Sequence, residues 1–385
     1  MFKKPEQFGA ILNNPQQFEV QILYTQIDRN AKGVPKFKTY GYRSNPREYF
    51  YPASTVKLPA VLLALEKLNR LNISGVNKYT PMLTEAERPS QTAVSVDTTA
   101  ENGLPSVAHY SRKILLVSDN DAFNRLYEFI GQEEFNEKMK AKGFLNTRIT
   151  HRLESALSLE ENRYTNPIRF EKDGVAMHLQ PGVYSPRTYT SPEPIRKGKG
   201  FMRSGRLVEE PFDFTEKNAF ALADQHQLLR ALFFPESVPA EQRFDLTEDD
   251  YRFVYQYMSQ LPIETSYPED YGEKYYDSYC KFFIYGDSQR RMPRHIRIFN
   301  KVGDAYGYLL DNAYIVDFER GIEFMLTAVI HCNQNGIFND DTYEYETVGF
   351  PFMANLGKLI FEHELQRKRR KERPDLNRFE LSYDK

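Results

Sequence analysis

The alternation of apolar and polar positions divides the chain into strand-like ends and a helical middle. Residues 17–30, QFEVQILYTQIDRN, and 36–43, KFKTYGYR, are rich in aromatic and branched side chains with partial alternation. With Gly33 between them, they predict a β-hairpin joined by a loop of several residues. After Ser54 the apolar positions Val56, Leu58, Leu62, Leu63, Leu65 and Leu68 cover so much of a helical circumference that this helix is expected to be central and buried. Residues 74–103 are polar, Thr-rich and without period, as connecting structure is. A helical period returns over 104–117 and stops at Ser118-Asp119-Asn120. Segments 121–130 and 133–142 predict two more helices parted by Gly131, with Gly143 as a stop.

Residues 151–216 read as a long irregular stretch with several prolines and glycines and a basic run, Arg196-Lys197-Gly198-Lys199-Gly200. Helices are expected over 216–234 and 250–261, while 263–293 is Tyr-rich, charged and without clear period. Three strand-like runs follow, 295–302, 311–318 and 322–331, and a long helix over 344–373 closes the chain. Strands at both ends with helices between them imply a sheet assembled from both ends of the chain around an inserted helical region. The fold class is therefore α/β (α+β) in a single large domain. Its α/β part is drawn from about 17–50 and 240–370, and its helical part from about 51–235.

Composition narrows the function without naming it. At 385 residues, with 41% apolar and 27% charged residues, the chain can bury a large core. Lys plus Arg (51) nearly balance Asp plus Glu (53), so no global field calls for nucleic acid or an anionic membrane, and a small molecule is the expected partner of an expected monomer. The basic QRKRRKER end of the last helix reads as a solvated terminus near the negative pole of the helix dipole, not as a nucleic-acid site. Cys280 and Cys332 exclude a disulfide scaffold or cysteine-rich metal site but leave one bridge open. The seven histidines are dispersed, so no metal and no cofactor is implied. No run approaches the roughly 20 apolar residues of a transmembrane span, and MFKKPEQFGAIL lacks the apolar core of a signal peptide.

The candidate chemistry begins at Ser54-Thr55-Val56-Lys57, where a polar chain turns into the central helix. Residues at i and i+3 share a helix face, so the Lys57 amine comes within reach of the Ser54 hydroxyl and, once deprotonated, takes its proton. Burial and neighbouring cations would lower the Lys57 pKa from about 10.4 and make it a usable base. Two further short motifs follow in order: Ser118-Asp119-Asn120 in an interhelical turn, and Lys301-Val302-Gly303 on an expected strand.

In this order and context the three motifs match S-x-x-K, S-D-N and K-T-G, with Val302 in place of the middle threonine. On these residues the chain resembles the class A β-lactamase family. The segment LLVSDNDAFNRLYEFIGQEEFNEKMKAKGF is similar to the family's helix, SDN turn and following helices, and NKVGDAYGYLLDNAYIVDFERGIEFMLTAVIH to the strand and hairpin lining its cleft. The resemblance covers about 17–160 and 216–365, leaving 165–215 and 262–293 as insertions. It implies a class A β-lactamase-like fold: an antiparallel sheet from both chain ends flanked by helices, plus an inserted all-helical subdomain.

What the resemblance implies for the residues is specific. Ser54 is the nucleophile, Lys57 the base and Ser118 a proton shuttle to the leaving nitrogen. Asn120 offers its amide to the substrate and to Lys57, and Asp119 holds the turn. Lys301 places positive charge near Ser118 and the substrate carboxylate, Gly303 lets the strand approach the ligand, and the backbone N–H groups of Ser54 and Asp304 form an oxyanion hole. Val302 lacks the hydroxyl that the family offers to that carboxylate. For the deacylating glutamate the loop THRLESALSLEENRYTNP offers Glu161, with Glu160 and Glu154 as alternatives. The implied activity is hydrolysis of β-lactam amides through an acyl-enzyme. A penicillin-binding D,D-peptidase acting on D-alanyl peptides and a non-catalytic binding protein are the alternatives. Such substrates lie outside the cytoplasmic membrane, so an exported location is expected although no signal peptide is present in the sequence.

Overall fold

The computed structural model describes residues 1, 3–368 and 374–385. Helix α1 (Pro5–Asn13), which the sequence pattern did not suggest, precedes the expected hairpin of β1 (Gln21–Arg29) and β2 (Pro35–Tyr42). Helices α2 (Lys57–Leu71), α3 (Val107–Val117), α4 (Asn120–Ile130) and α5 (Gln132–Ala141) follow, then α6 (Leu222–Phe233) and α7 (Glu248–Ser259). The chain closes with β3 (Ile296–Ala305), β4 (Tyr308–Asp317), β5 (Ile322–His331) and α8 (Phe350–Gln366). The expected final helix thus spans less than 344–373, and residues 369–373 of its basic end lie outside the described residues. None of the described helices is long and apolar enough to cross a membrane.

The five long strands form one antiparallel sheet in the order β3-β4-β5-β1-β2. Strand β1 pairs with β5 in a register running from Gln21 opposite Val329 to Gln26 opposite Phe324, which joins the two ends of the chain. Every residue of β4 and β5 is buried, because both sheet faces are covered. Alternate side chains of β4 serve different cores, as the two-residue pleat requires. Tyr314 and Val316 join the core shared with α2–α7. Ala313 and Ile315 join the one closed by α1 and α8.

Helix α2 is buried along nearly its whole length, from Lys57 to Leu68. It packs against α3, α4 and α5. Between α4 and α5, Gly131 sits at φ 88°, a left-handed conformation that suits glycine.

The inserted region carries small sheets as well as helices. Residues expected to be irregular form antiparallel hairpins, Ile168–Lys172 with Val175–Gln180 and Gly200–Arg203 with Arg206–Val208. Their tight loops are Asp173-Gly174 and Ser204-Gly205, with positive φ at both residues of each pair. That is the geometry of the two-residue turn matching strand twist. The segment 263–293 holds a single helical turn, Tyr271–Lys274, and a 3-10 turn at Pro262–Glu264. Cys280 and Cys332 are both buried and unbridged.

Candidate active site

Ser54 lies in the one-turn 3-10 helix Ala53–Val56 that leads into α2. In such a turn residues i and i+3 eclipse, so Ser54 and Lys57 leave the same side. The turn rests on β3 at Gly303, whose Cα faces backbone: a Cβ there would lie 2.8 Å from Ser54 N and 3.0 Å from both Pro52 O and Thr55 N. The expectation that Gly303 clears space for a ligand is therefore recast. Glycine is needed because the strand and the Ser54 turn pack backbone to backbone.

Lys57 is fully buried. Its Nζ donates to Ser118 O and Asn120 Oδ1, each at 2.5 Å, and approaches Ser118 Oγ at 3.4 Å. Burial, followed by the nearby Lys301 ammonium, holds its pKa well below that of an ordinary lysine. The expected direct bond to Ser54 is not made, since the amine is turned toward the Ser118 corner. The Ser54 hydroxyl has no hydrogen-bond partner among the described residues.

That corner is shaped by the junction of two helices. Ser118 ends α3 at φ 60°, a left-handed conformation that is uncommon for a residue with a side chain. Asp119 then caps α4, its Oδ1 accepting from Ala122 N at 2.8 Å, and so holds the turn as the sequence suggested. From the other side, Lys301 on β3 donates to Ser118 Oγ at 2.7 Å and to Val302 O at 2.9 Å. Lys301 is only 2% exposed. Burial lowers its pKa to about 8. Lys57, Ser118, Asn120 and Lys301 thus form one hydrogen-bonded group beside Ser54.

Behind β3, Lys281 donates to Asn300 Oδ1 at 2.8 Å, and Asn300 Nδ2 donates to Asp311 Oδ1 at 2.8 Å. Burial lowers the Lys281 pKa to about 8 and raises that of Asp311 to about 6. This network ties the 262–293 segment to the strand that bears Lys301.

Ser54 opens onto a cleft of about 520 Å³ lined by Tyr51, Asn120, Glu154, Asp304, Tyr306, Asp341, Tyr343 and Tyr345, among others. Several of its residues, Ala53, Glu154, Tyr306, Asn339 and Asp341, adopt positive φ without being glycine. Such conformations persist where surrounding structure imposes them. The loop 339–345 carries no motif, and only its tertiary placement brings it here. The segment 165–215 braces it: Gly200–Arg203 pairs in parallel with Ile337–Phe338. Phe214 packs against both Phe338 and Tyr306 with ring centroids 5.2 and 5.4 Å apart.

Glu161 is not part of this group. Its carboxylate accepts from Ser158 N at 2.9 Å and Ser158 Oγ at 3.0 Å, closing a local turn on the surface. Glu160 likewise faces outward, paired with Arg163 at 2.9 Å. The loop's interior contact is made by Asn162, buried, whose Oδ1 accepts from Arg152 N at 2.8 Å. Of the three candidate loop glutamates it is Glu154 that lines the cleft. Asn166 turns the other way, donating to Glu85 O at 2.7 Å. His151 stacks on Tyr51 at 6.2 Å, and burial lowers its pKa to about 4, so it stands neutral behind the cleft wall.

Residues 6–193 match the model of the beta-lactamase enzyme family. No curated protein matches the chain. Among solved structures, the chain is similar to a beta-lactamase from Sphaerobacter thermophilus DSM 20745, at 13% identity over 91% of this chain and 95% of that one, with a TM-score of 0.48. It is similar also to a beta lactamase from Xanthomonas campestris pv. campestris, at 15% identity over 92% and 96%, TM-score 0.49. A third is the beta-lactamase from Desulfarculus baarsii DSM 2075, at 13% identity over 93% and 97%, TM-score 0.48. The match over residues 6–193 spans the Ser54 and Ser118 motifs, so in this part the chain is similar to the beta-lactamase enzyme family.

Proposed function

We propose that the protein cleaves an amide through an acyl-enzyme on Ser54, with β-lactam amides as the substrate class. Ser54 Oγ attacks the carbonyl carbon while its proton passes to Lys57, directly or through a water. The Ser118 hydroxyl, which accepts from Lys301, hands a proton to the leaving nitrogen. The developing oxyanion is met by the N–H groups of Ser54, at the head of its helical turn, and of Asp304; each such donor is typically worth about 10²–10³ in rate. A water activated by Glu154, the loop glutamate that reaches the cleft, then releases the acyl group. The observation that carries this reading is the convergence of Lys57, Ser118, Asn120 and Lys301, from three separate stretches of chain, into one hydrogen-bonded group beside an unpartnered serine hydroxyl.

A second reading, a penicillin-binding acyl-transfer enzyme of the D,D-peptidase kind that deacylates slowly, is favoured by the position of Glu161 away from the cleft. Acting on β-lactams or on D-alanyl peptides, either enzyme would work outside the cytoplasmic membrane. Intact-mass spectrometry after incubation with a penicillin, on wild type and Ser54→Ala, tests both. Turnover without a lasting adduct supports the hydrolase, and a stable adduct lost in Ser54→Ala supports the slow enzyme. Neither turnover nor adduct in wild type overturns the acyl-enzyme and leaves a binding role for the fold.

A further inference from the structure

We propose that the acyl donor taken by this cleft carries a positive charge, an ammonium or guanidinium group held at the mouth by Glu154, Asp304 and Asp341 among tyrosine side chains. The inference rests on the reading of Ser54 as the nucleophile, which fixes where the substrate lies, and adds the sign of the charge that lies beside it.

Three carboxylates from three different parts of the chain line the cleft: Glu154 from the loop after α5, Asp304 from the end of β3 and Asp341 from the loop before α8. All three are exposed to solvent there. None has an ion-pair or side-chain hydrogen-bond partner among the described residues, whereas Glu160 and Glu161 in the neighbouring loop are both engaged. No Lys or Arg lines the cleft. The nearest ammonium groups, Lys57 and Lys301, are 0% and 2% exposed and turned toward Ser118, Asn120 and the Val302 carbonyl.

The carboxylates do not converge as metal ligands would, since no such grouping of His, Cys, Asp or Glu occurs among the described residues. They share the lining of the cleft with Tyr51, Tyr306, Tyr343 and Tyr345. Aromatic faces attract cations and repel anions. An anionic group entering this mouth meets like charge, and a cationic one meets complementary charge.

Two measurements separate this inference from the reading beneath it. In the first, acylation rates are compared for ampicillin and benzylpenicillin, which share a nucleus and differ by the side-chain amine, at a pH where that amine is protonated. The aminated compound is expected to react faster, and the preference to shrink in Asp304→Asn/Asp341→Asn. In the second, binding is measured by calorimetry in the Ser54→Ala background, where no chemistry intrudes, with D-alaninamide as the cation and N-acetyl-D-alanine as the anion. A partly screened charge contact gives the cation an advantage of roughly tenfold, which the double variant loses and added salt reduces. If wild type forms no adduct but the Ser54→Ala protein still selects the cation, the acyl-enzyme fails and the charge preference stands. Equal or tighter binding of the anion, no binding of the cation, or a preference that survives in the double variant overturns the proposal.

Discussion

Replacing Gly303 by alanine is the sharpest test of how the nucleophile is held. The φ of Gly303 lies in the range open to any residue, so the substitution strains no dihedral and acts through contact alone. Its Cβ would stand 2.8 Å from Ser54 N, against 3.4 Å for the closest ordinary contact, so about 0.6 Å must be found (3.4 minus 2.8). The three nearest atoms all belong to the backbone of the 52–55 turn, which has no flexible end to swing aside. Overpacking of this kind costs about 1–3 kcal/mol. Because a displacement of about 1 Å at a reacting group can cost about 10²-fold, acylation should fall by roughly tenfold or more. Thermal unfolding and the rate of adduct formation, measured by intact mass, read the two effects separately. Gly9→Ala is the control: its Cβ would meet only Pro5 Cβ at 3.8 Å within α1. It should be neutral or stabilising by about 0.5–1 kcal/mol. A Gly303→Ala protein with wild-type melting temperature and acylation rate would refute the backbone-contact account.

Further expectations concern protons and carboxylates. Acylation should rise with pH as Lys57 gives up its proton and level off well below the ordinary lysine value, because burial depresses that pKa. Lys57→Arg, which keeps the charge but cannot act as a base, should lose about 10²–10⁴ in rate. Glu161→Gln should leave adduct lifetime unchanged, whereas Glu154→Gln should lengthen it; the reverse pattern would restore Glu161 as the deacylating residue. His226, buried between Thr25 and Thr327, has its pKa lowered to about 4 by burial. A depressed folded-state pKa contributes stability above about pH 6.5 that is lost as pH falls toward 4, up to about 3 kcal/mol. Melting curves across that interval should be flatter for His226→Asn, and an unchanged slope would refute the assignment.

Much of this architecture was legible because local signals and tertiary fate agree. The hairpin of β1 and β2, the apolar α2, the helices around Gly131 and the three late strands each have a period that burial rewards. The Ser118 corner was legible for the same reason, since Ser-Asp-Asn both ends one helix and caps the next. Helix α1 was missed because its apolar positions are few. The hairpins within 165–215 were missed although Asp173-Gly174 is a direct turn signal, because the flanking strands are short and no residue of Val175–Gln180 is buried. Glu161 was preferred among the loop glutamates, but the loop folds around buried Asn162 and turns that glutamate outward. Tyr343, Tyr345 and Asp341 could not be found locally, because their loop is carried to the cleft by pairing between segments more than 130 residues apart, at about 200–203 and 337–338.

The joining of the two chain ends in one sheet has a consequence for biosynthesis. The glycine that backs Ser54 and the lysine that donates to Ser118 are made some 250 residues after that serine. Contacts so distant in sequence are slow to close. A nascent chain therefore carries an unassisted hydroxyl until β3 is made, and truncation before β3 should leave a fragment that no acylating reagent can label.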